Sequence, residues 1–313
     1  EYIELYGCAD MLKAGCVFAD KISTVSPSYA REIQTDYYGE GLSGILKARS
    51  HQTVGILNGI NMEHYNPRKD KRIPANFSVT NKEGKGICKE YLQEQFGLKQ
   101  EKEYPLFCSV ARLVEQKGIE LIKQIIPDLM KAGIQIIVYG QGEQHYIDYF
   151  THLTKEYPGQ FGFSSDYNEE MAAKVFAGSD FYLMPSSFEP CGLSQMMAMR
   201  YGTIPIVHET GGLKDSVRPY SDFDGIGDGF SFQNYSAKPL YLAIMQAVKV
   251  YFGQPDVFEK IRTRCMKKDF SWDRSALDYQ KMYSDICGSG YDPSITFEKA
   301  YEQLKMEYAD LKD

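Results

Sequence analysis

The stretch Ser186-Ser187-Phe188-Glu189-Pro190-Cys191-Gly192-Leu193-Ser194-Gln195 lies between two segments of opposite character. The apolar run at 181–184 before it predicts a buried strand, and the run at 196–201 after it predicts a helix. In α/β proteins, a strand followed by a turn and the start of a helix presents polar groups to a ligand. The helix start favours an anion, and the Glu189 carboxylate can accept hydrogen bonds from hydroxyl groups. The stretch therefore indicates a site for phosphate beside a polyol, the chemistry of a nucleotide sugar.

The surrounding sequence repeats this alternation of strand and helix. Short apolar runs predict strands at 106–111, 134–139, 161–164, 181–184, 204–208 and 229–232. Helical patterns fall between them at 118–131, 144–156, 169–177 and 193–201. Strands and helices joined by such short connections predict an α/β fold with a doubly wound parallel sheet, Rossmann-like in its arrangement.

The two flanks of this region differ from it. Residues 1–60 combine helical segments with strand candidates at 21–25 and 54–57, and a hinge is predicted at 58–61. We therefore predict three parts: 1–60 as the end of a preceding domain, 61–270 as the Rossmann-like domain and 271–313 as carboxy-terminal helices. Residues 66–86 read as irregular before a helix near 89–95. A final helix is predicted near 296–312, where an apolar stripe needs a partner or the chain's own body to pack against.

The composition excludes several classes of function. With 313 residues, 43% hydrophobic content and a net charge of −7, the chain has no basic surface suited to nucleic acid. No apolar run approaches the roughly 20 residues that span a bilayer, and the first residues do not form a signal peptide. Seven cysteines without a C-x-x-C pair favour a reduced, cytosolic compartment. The histidines lack metal-ligand spacing, so we predict neither a metal nor a cofactor.

A second cluster of polar residues follows the strand at 106–111. Arg112 lies just past the carboxyl end of this strand, and Lys117-Gly118 opens the next helix. Two cations on one such loop can bind a diphosphate from two sides, and they can neutralise it as a leaving group. A solvated loop with ordinary surface cations is the alternative for this cluster taken by itself.

Several further residues are weaker candidates. In Thr210-Gly211-Gly212 the glycines would let backbone N–H groups approach a phosphate or sugar, although paired glycines also form plain turns. Tyr167 could stack on a base or pack on the protein. Cys191, near a helix start, could have a lowered pKa or be an inert small residue. His208 could contact a ligand or be a hydrogen-bonded histidine at a strand end.

Taken together, these motifs resemble the bacterial glycogen synthase and plant starch synthase family of GT-B glycosyltransferases, from about residue 9 to residue 287. The resemblance rests on ordered motifs: Leu12-Lys13-Ala14-Gly15, Ser23-Thr24-Val25-Ser26-Pro27, Gly55-Ile56-Leu57-Asn58-Gly59-Ile60, Ala111-Arg112-Leu113, Gln116-Lys117-Gly118, Phe188-Glu189-Pro190-Cys191-Gly192-Leu193, Thr210-Gly211-Gly212-Leu213 and Asp269-Phe270-Ser271-Trp272.

The resemblance implies transfer of glucose from ADP-glucose to the non-reducing end of an α-1,4-glucan, with retention at the anomeric carbon. It implies catalytic roles for Glu189, Arg112 and Lys117, of which the two cations would bind the diphosphate. The remaining donor-binding positions are Tyr167 on adenine, Cys191, Gly192 and Leu193 at the glucose, and Thr210, Gly211 and Gly212 beside the phosphates. The compartment would be the cytoplasm, or the plastid stroma in a plant.

This sequence departs from the family pattern at several points. The family usually has Asp where Asn61 stands and more often Arg where His208 stands. Its amino-terminal domain, with a lysine-bearing glycine loop and a catalytic histidine, has almost no counterpart here. We therefore expect the donor-binding half, inactive without the missing amino-terminal domain as its partner. The alternatives are a non-catalytic nucleotide- or carbohydrate-binding module and another retaining GT-B transferase with a different donor.

Overall fold

The computed structural model describes residues 2–288. Its strands are β1 (Glu4–Leu5), β2 (Cys8–Ala9), β3 (Ile22–Thr24), β4 (Thr53–Gly55), β5 (Leu106–Val110), β6 (Gln135–Tyr139), β7 (Phe161–Ser164), β8 (Phe181–Met184), β9 (Ile204–His208) and β10 (Phe230–Phe232). Its helices are α1 (Met11–Phe18), α2 (Pro27–Glu32), α3 (Ser43–Ala48), α4 (Glu83–Gln95), α5 (Ile119–Lys131), α6 (Gln144–Glu156), α7 (Glu169–Gly178), α8 (Ser194–Arg200), α9 (Gly211–Ser216), α10 (Ala237–Gly253), α11 (Pro255–Lys267) and α12 (Trp272–Cys287).

A six-stranded parallel sheet confirms the predicted α/β architecture. The strand order is β10-β9-β8-β5-β6-β7, and every neighbouring pair is parallel. From β5 the chain adds β6 and β7 on one side, and it then returns to place β8 beside β5 and to continue in the other direction. The order of strands reverses between β5 and β8, and the loops that follow these two strands diverge there. Such a reversal is the usual ligand-binding place in an open α/β sheet.

The buried strands explain why short apolar runs predicted this sheet so closely. Every residue of β5, β6, β8 and β9 is buried, as expected for parallel strands covered by helices on both faces. The predicted bounds of β7, β8, β9 and α6 match the structure. Those of the remaining predicted sheet strands and of α5 and α7 differ by one residue at one end, and those of α8 differ by one residue at each end. No predicted element covers α10 or α11.

Helix α4 begins at Glu83, six residues before the predicted start. The sequence there is rich in glycine and lysine, which favours a loop on local grounds. Tertiary contacts decide otherwise, because the Lys85 ammonium is buried and donates to the carbonyls of Ala177 and Tyr201 (2.9 and 2.8 Å) and to the hydroxyl of Thr203 (3.0 Å). Burial lowers the pKa of Lys85 to about 7.

Asp180, the residue before β8, joins the amino ends of the strands to α4 and α11. Its Oδ2 accepts the Lys89 ammonium (2.7 Å) and the Leu106 N–H (3.0 Å), and its Oδ1 accepts the Arg262 guanidinium (2.8 Å). Burial by itself would raise the pKa of the Asp180 carboxyl, but the charges of Lys89 and Arg262 bring a net lowering. A cavity of about 430 Å³ lies beside this cluster, at the sheet edge opposite the predicted site.

Residues 2–60 form a smaller unit beside the main sheet. Strand β3 pairs in parallel with β4, which confirms the two strand candidates, and Cys16, Leu42 and Leu46 form a separate small core. The predicted hinge at 58–61 packs directly on the start of α12: the Ile60 N–H donates to the Phe270 carbonyl (2.8 Å). The two predicted domain boundaries therefore lie side by side, while the division into three domains stays a prediction.

Three other expectations from the sequence can be placed on the structure. All seven cysteines lie within residues 2–288 and are free thiols. Within that range, no helix combines the length and apolar character that crossing a bilayer requires. The predicted helix at 296–312, with its apolar stripe, falls outside the described residues.

Candidate functional site

The loop after β5 (residues 111–118, the β5 loop) carries both predicted phosphate-binding cations. Arg112 is exposed, and across residues 2–288 its guanidinium has neither a hydrogen-bond nor an ion-pair partner. The backbone next to it is fixed, because the Leu113 N–H donates to the Gln141 carbonyl (2.7 Å) and the Glu143 N–H to the Leu113 carbonyl (2.9 Å). Arg112 therefore projects from a held backbone with its charge available to a ligand.

Gly140 and Gly142 serve this backbone contact rather than a ligand. A Cβ at Gly140 would lie 1.9 Å from the Ala111 carbonyl oxygen, and one at Gly142 would lie 2.2 Å from that of Leu113. The glycines allow the loop after β6 to pack against the β5 loop.

Lys117 meets Glu189 at the end of the β5 loop. The Lys117 ammonium lies 2.6 Å from Glu189 Oε2, and the two side chains are only 17% and 11% exposed. The Ser186 hydroxyl donates to the same oxygen at 3.3 Å. The ion pair places the cationic motif and the acidic motif, 72 residues apart in sequence, in one site at the point where the strand order reverses.

The β5 loop and the loop after β8 (residues 185–193, the β8 loop) also contact each other through the backbone. The Ser187 N–H donates to the Gln116 carbonyl (2.8 Å), and the Gln116 amide donates to the Phe188 carbonyl (3.2 Å). Gly118 lies in the left-handed region at φ +73°, and a Cβ there would stand 2.0 Å from the Pro185 carbonyl oxygen. Glycine is therefore required at position 118 for the two loops to approach.

Replacing Gly118 by alanine tests this approach. Gly97 is the matched control, because it has a similar φ of +64° with open space around its Cβ. We expect Gly97→Ala to lose about 1 kcal/mol of unfolding free energy through left-handed strain, and Gly118→Ala to lose about 2–4 kcal/mol because overpacking adds to it. Urea unfolding measures both, and equal losses in the two variants would contradict a required contact between the loops.

The loop after β9 (residues 209–213, the β9 loop) packs on the β8 loop. A Cβ at Gly211 would lie 2.1 Å from the Glu189 carbonyl oxygen, and the Gly212 N–H donates to that same carbonyl at 3.0 Å. The predicted glycine cluster thus lies beside Glu189, and its glycines allow a close backbone approach.

The N–H groups of this loop, however, are not open to a phosphate as the sequence suggested. The Gly211 N–H donates to the Glu32 carboxylate (2.8 Å), and the Thr210 hydroxyl also points to it (3.4 Å). In return, the Asp215 carboxylate on α9 accepts the backbone N–H and the hydroxyl of Ser28, each at 2.7 Å. Helices α2 and α9 thus place a carboxylate at each other's amino end, an arrangement that stabilises both helix dipoles.

The remaining predicted donor-binding positions of the β8 loop, at residues 191–193, offer mainly backbone groups. Gly192 adopts φ +68°, where a Cβ would crowd the Gln195 side chain, while Leu193 is 38% exposed at the start of α8. Burial raises the pKa of the Cys191 thiol, with a smaller opposing effect of the backbone at Asn58. This direction favours the inert small residue over the activated thiol for Cys191.

Tyr167 lies near the carboxyl end of β7 with 49% of its surface exposed. Its ring centroid lies 5.6 Å from that of Tyr139, whose buried hydroxyl accepts the Asn168 N–H (2.7 Å) and donates to the Asp166 carbonyl (2.7 Å). Tyr139 therefore fixes the backbone on both sides of Tyr167 and leaves much of the Tyr167 ring available for stacking.

Sequence reasoning missed the part that residues 26–32 play in this site. Glu32 and Asp215 reach the site through pairings that span 179 and 187 residues. No local pattern marks either carboxylate as part of a site. Among residues 2–288, no group of three or more His, Cys, Asp or Glu side chains is placed to hold a metal ion.

Comparisons with known proteins identify the families and relatives that this chain is similar to. The family of glycosyl transferases group 1 matches residues 92–261, and the starch synthase catalytic domain family matches residues 1–48. The chain is 44% identical over 286 residues to a glycogen synthase of Geobacillus thermodenitrificans (strain NG80-2), and 46% identical over 285 residues to one of Clostridioides difficile (strain 630). Each alignment covers 91% of this chain and 59% of the relative, so the chain spans about three-fifths of their length.

A solved structure shows the same arrangement of elements. The catalytic domain of starch synthase IV from Arabidopsis thaliana, bound to ADP and acarbose, superposes with a TM-score of 0.82 at 34% identity. The superposition covers 88% of this chain and 58% of that one. The predicted GT-B architecture is thereby confirmed.

Proposed function

The chain belongs to the group 1 glycosyl transferases, and from that premise we propose that it is the donor-binding part of a glycogen or starch synthase. Such an enzyme transfers glucose from ADP-glucose to the non-reducing end of an α-1,4-glucan with retention. The observation that carries the proposal is the Lys117–Glu189 ion pair at the reversal of strand order. The similarity to glycogen synthases and to an ADP-bound starch synthase supports the choice of donor and acceptor.

The site residues divide between the two ends of the donor. Arg112, exposed and unpaired within the described chain, and Lys117 would bind the diphosphate and neutralise it as it leaves. Lys117 has three protons, so it can keep Glu189 and still donate to a phosphate oxygen. Glu189 Oε1 has no partner among residues 2–288 and would accept a glucose hydroxyl, beside the backbone of 191–193.

The rest of the donor would extend toward β7. The exposed ring of Tyr167 would stack on adenine, a contact worth about 1–3 kcal/mol for aromatic rings on bases. Thr210, Gly211 and Gly212 would stay beside the phosphates as backbone that shapes the site, since their donors already bind Glu32 and Glu189. The seven free thiols favour a reducing compartment such as the cytoplasm or plastid stroma.

Calorimetric titration of residues 1–313 with ADP, UDP and pyrophosphate tests the nucleotide site. We expect ADP to bind more tightly than UDP, and Tyr167→Ala to weaken ADP while leaving pyrophosphate unchanged. No measurable heat with ADP at millimolar concentration would contradict the proposal. Equal binding of UDP would favour another donor.

Incubation with ADP-glucose and glycogen tests turnover. We expect no chain extension by residues 1–313 without the amino-terminal domain, because half of the electrostatic environment of the donor would be absent. Robust extension would show that this chain is sufficient for activity.

A further inference from the structure

A cavity of about 360 Å³ lies at the amino end of β10, at the sheet edge opposite the candidate donor site. It forms where the connection from α9 to β10 meets the carboxyl end of α11. Among residues 2–288, its lining holds one carboxylate, Asp228, and four cationic side chains, Arg218, Arg264, Lys267 and Lys268. The cavity therefore concentrates positive charge in a chain whose net charge is −7.

The carboxylate of this lining is already occupied. Asp228 Oδ2 lies 2.5 Å from the Lys268 ammonium, and Asp228 Oδ1 accepts the backbone N–H of Arg218 (2.7 Å). Within residues 2–288, the side chains of Arg218, Arg264 and Lys267 form no ion pair. Three positive charges of the lining therefore lack a carboxylate partner in the part of the chain that the structure describes.

The Arg264 guanidinium leaves one edge unpaired. Its Nη1 donates to the Gly225 carbonyl (2.8 Å), while its Nε and Nη2 are buried and have no acceptor among the described residues. Nε and Nη2 form the edge with which an arginine binds two oxygens of a carboxylate or phosphate. A buried donor without an acceptor is destabilising, so an oxyanion is the kind of partner that this edge lacks.

The end of α11 balances only part of this charge. Helix α11 ends at Lys267, and cations are favourable at the carboxyl end of a helix. That end carries about half of one negative charge, which is small beside three cations without a carboxylate. The carboxylate of Asp224, on the neighbouring loop, accepts the Ile226 N–H (3.0 Å). The cavity therefore keeps positive charge that an anion would balance.

The backbone around the cavity is held in place by its own hydrogen bonds. The Asp228 N–H donates to the Arg218 carbonyl (2.9 Å), and the Tyr220 N–H donates to the Gly229 carbonyl (2.7 Å). Gly227 has φ +132°, and a Cβ there would stand 2.4 Å from the Tyr220 Cα, so glycine permits this close approach. A lining that is already organised reduces the cost of binding a ligand.

We propose that this cavity binds the phosphate group of a small phosphorylated metabolite, at a site separate from the donor site. Arg218 and Lys267 supply charge, and Arg264 turns its unpaired edge toward two phosphate oxygens. Ile226, which is 40% exposed, also lines the cavity and contacts the carbon skeleton of the metabolite. Inorganic phosphate shares the anionic chemistry but leaves this apolar surface uncovered.

Calorimetric titration of residues 1–313 with glycerol 3-phosphate and with inorganic phosphate, at constant ionic strength, tests the site. We expect glycerol 3-phosphate to bind more tightly, and Lys267→Gln to weaken it by about tenfold or more. Lys249→Gln is the matched control, because Lys249 is exposed on α10 without an ion-pair partner in the described chain. Equal effects of the two variants, or tighter binding of inorganic phosphate, would overturn the proposal.

Arg264→Lys tests the bidentate edge by itself. Lysine keeps the positive charge but lacks the planar pair of donors, so we expect glycerol 3-phosphate to bind about tenfold more weakly. Urea unfolding of the same variant shows whether the fold is retained. Parent-like binding by Arg264→Lys would show that charge alone is recognised, and it would overturn the role given to this edge.

Lysine acetylation followed by mass spectrometry locates the bound anion, since the donor site also carries cations suited to phosphate. We expect glycerol 3-phosphate to slow acetylation of Lys267 and to leave Lys249 unchanged, in the parent chain and in Arg112→Ala alike. Protection of Lys117 without protection of Lys267 would place the anion at the donor site and overturn the proposal. Because this readout needs no nucleotide, its outcome is independent of the nucleotide-sugar function.

Discussion

Lys117→Ala should weaken ADP binding by about 1.5–3 kcal/mol, the range for a charge-assisted hydrogen bond, which corresponds to roughly 10- to 150-fold in Kd. Arg112→Ala should lose a similar amount of affinity if both cations bind the diphosphate. The two variants should differ in stability, because Lys117 is paired with a carboxylate that is 11% exposed and Arg112 is exposed without a partner in the described chain. Calorimetry with ADP and urea unfolding measure the two effects separately.

The stability of Lys117→Ala should fall because the Glu189 carboxylate is left without its cation in a largely buried place. Losses for such unpaired charges reach about 3–5 kcal/mol in full burial, and a value toward the lower end fits the 17% exposure of Lys117. Adding Glu189→Gln should recover part of this loss, since it removes the unpaired charge. Lys131→Ala, which breaks an exposed pair with Asp128, is the control. Parent-like ADP binding by both Lys117→Ala and Arg112→Ala would place the diphosphate elsewhere.

Asp180→Asn should lower the free energy of unfolding by about 3–5 kcal/mol at pH 7, since it leaves the buried Lys89 without a carboxylate and leaves Arg262 with Glu259 alone. The side chains of Asp180, Lys89 and Arg262 are only 7%, 8% and 11% exposed. Asparagine keeps the size of the side chain but offers one acceptor where the carboxylate serves three donors. Asp128→Asn, in an exposed pair with Lys131, should change stability by less than about 1 kcal/mol.

The pH dependence gives this prediction a second readout. The pKa of Asp180 is lowered in the fold, so its contribution is complete above the unfolded value of about 3.9 and is lost as pH falls below it. We therefore expect the part of the difference between the parent and Asp180→Asn that comes from the carboxylate charge to shrink below about pH 4. A loss below 1 kcal/mol at pH 7 would mean that the two cations do not depend on this carboxylate.

Much of the fold could be predicted from the local pattern of apolar and turn residues. The strand at 181–184 is an unbroken apolar run, and the strand at 106–110 is interrupted only by Ser109. Such short runs between turn residues favour a buried parallel strand. The start of α4 could not be read in this way, because Lys85 is held in the helix by carbonyls from two distant segments. Local preference fails where a buried lysine obtains its partners from elsewhere in the fold.

The candidate site, like the fold, could be predicted from the sequence only in part. The sequence predicts Arg112, Lys117, Glu189 and the Thr210–Gly212 turn as site residues, since each lies in a loop after a predicted strand and is of a type suited to phosphate or hydroxyl groups. Sequence also suggested that the N–H groups of the turn face a ligand, whereas Glu32 occupies the first of them. The Glu32 carboxylate, 179 residues away in sequence, accepts the Gly211 N–H, which the local sequence pattern predicts to be available to a ligand.

The amino-acid sequence by itself determined which segments form strands and helices, and that charged and glycine-rich loops end the strands, because periodicity and turn chemistry act over a few residues. Only the tertiary structure decided that Lys117 pairs with Glu189, that Glu32 reaches α9 and that His208 faces two carbonyls. These contacts depend on the order in which the strands assemble, since reversal at β5 and β8 brings distant loops to one edge of the sheet. Hydrogen bonds and ion pairs form over about 3 Å, so their partners are fixed by that arrangement and not by distance along the chain.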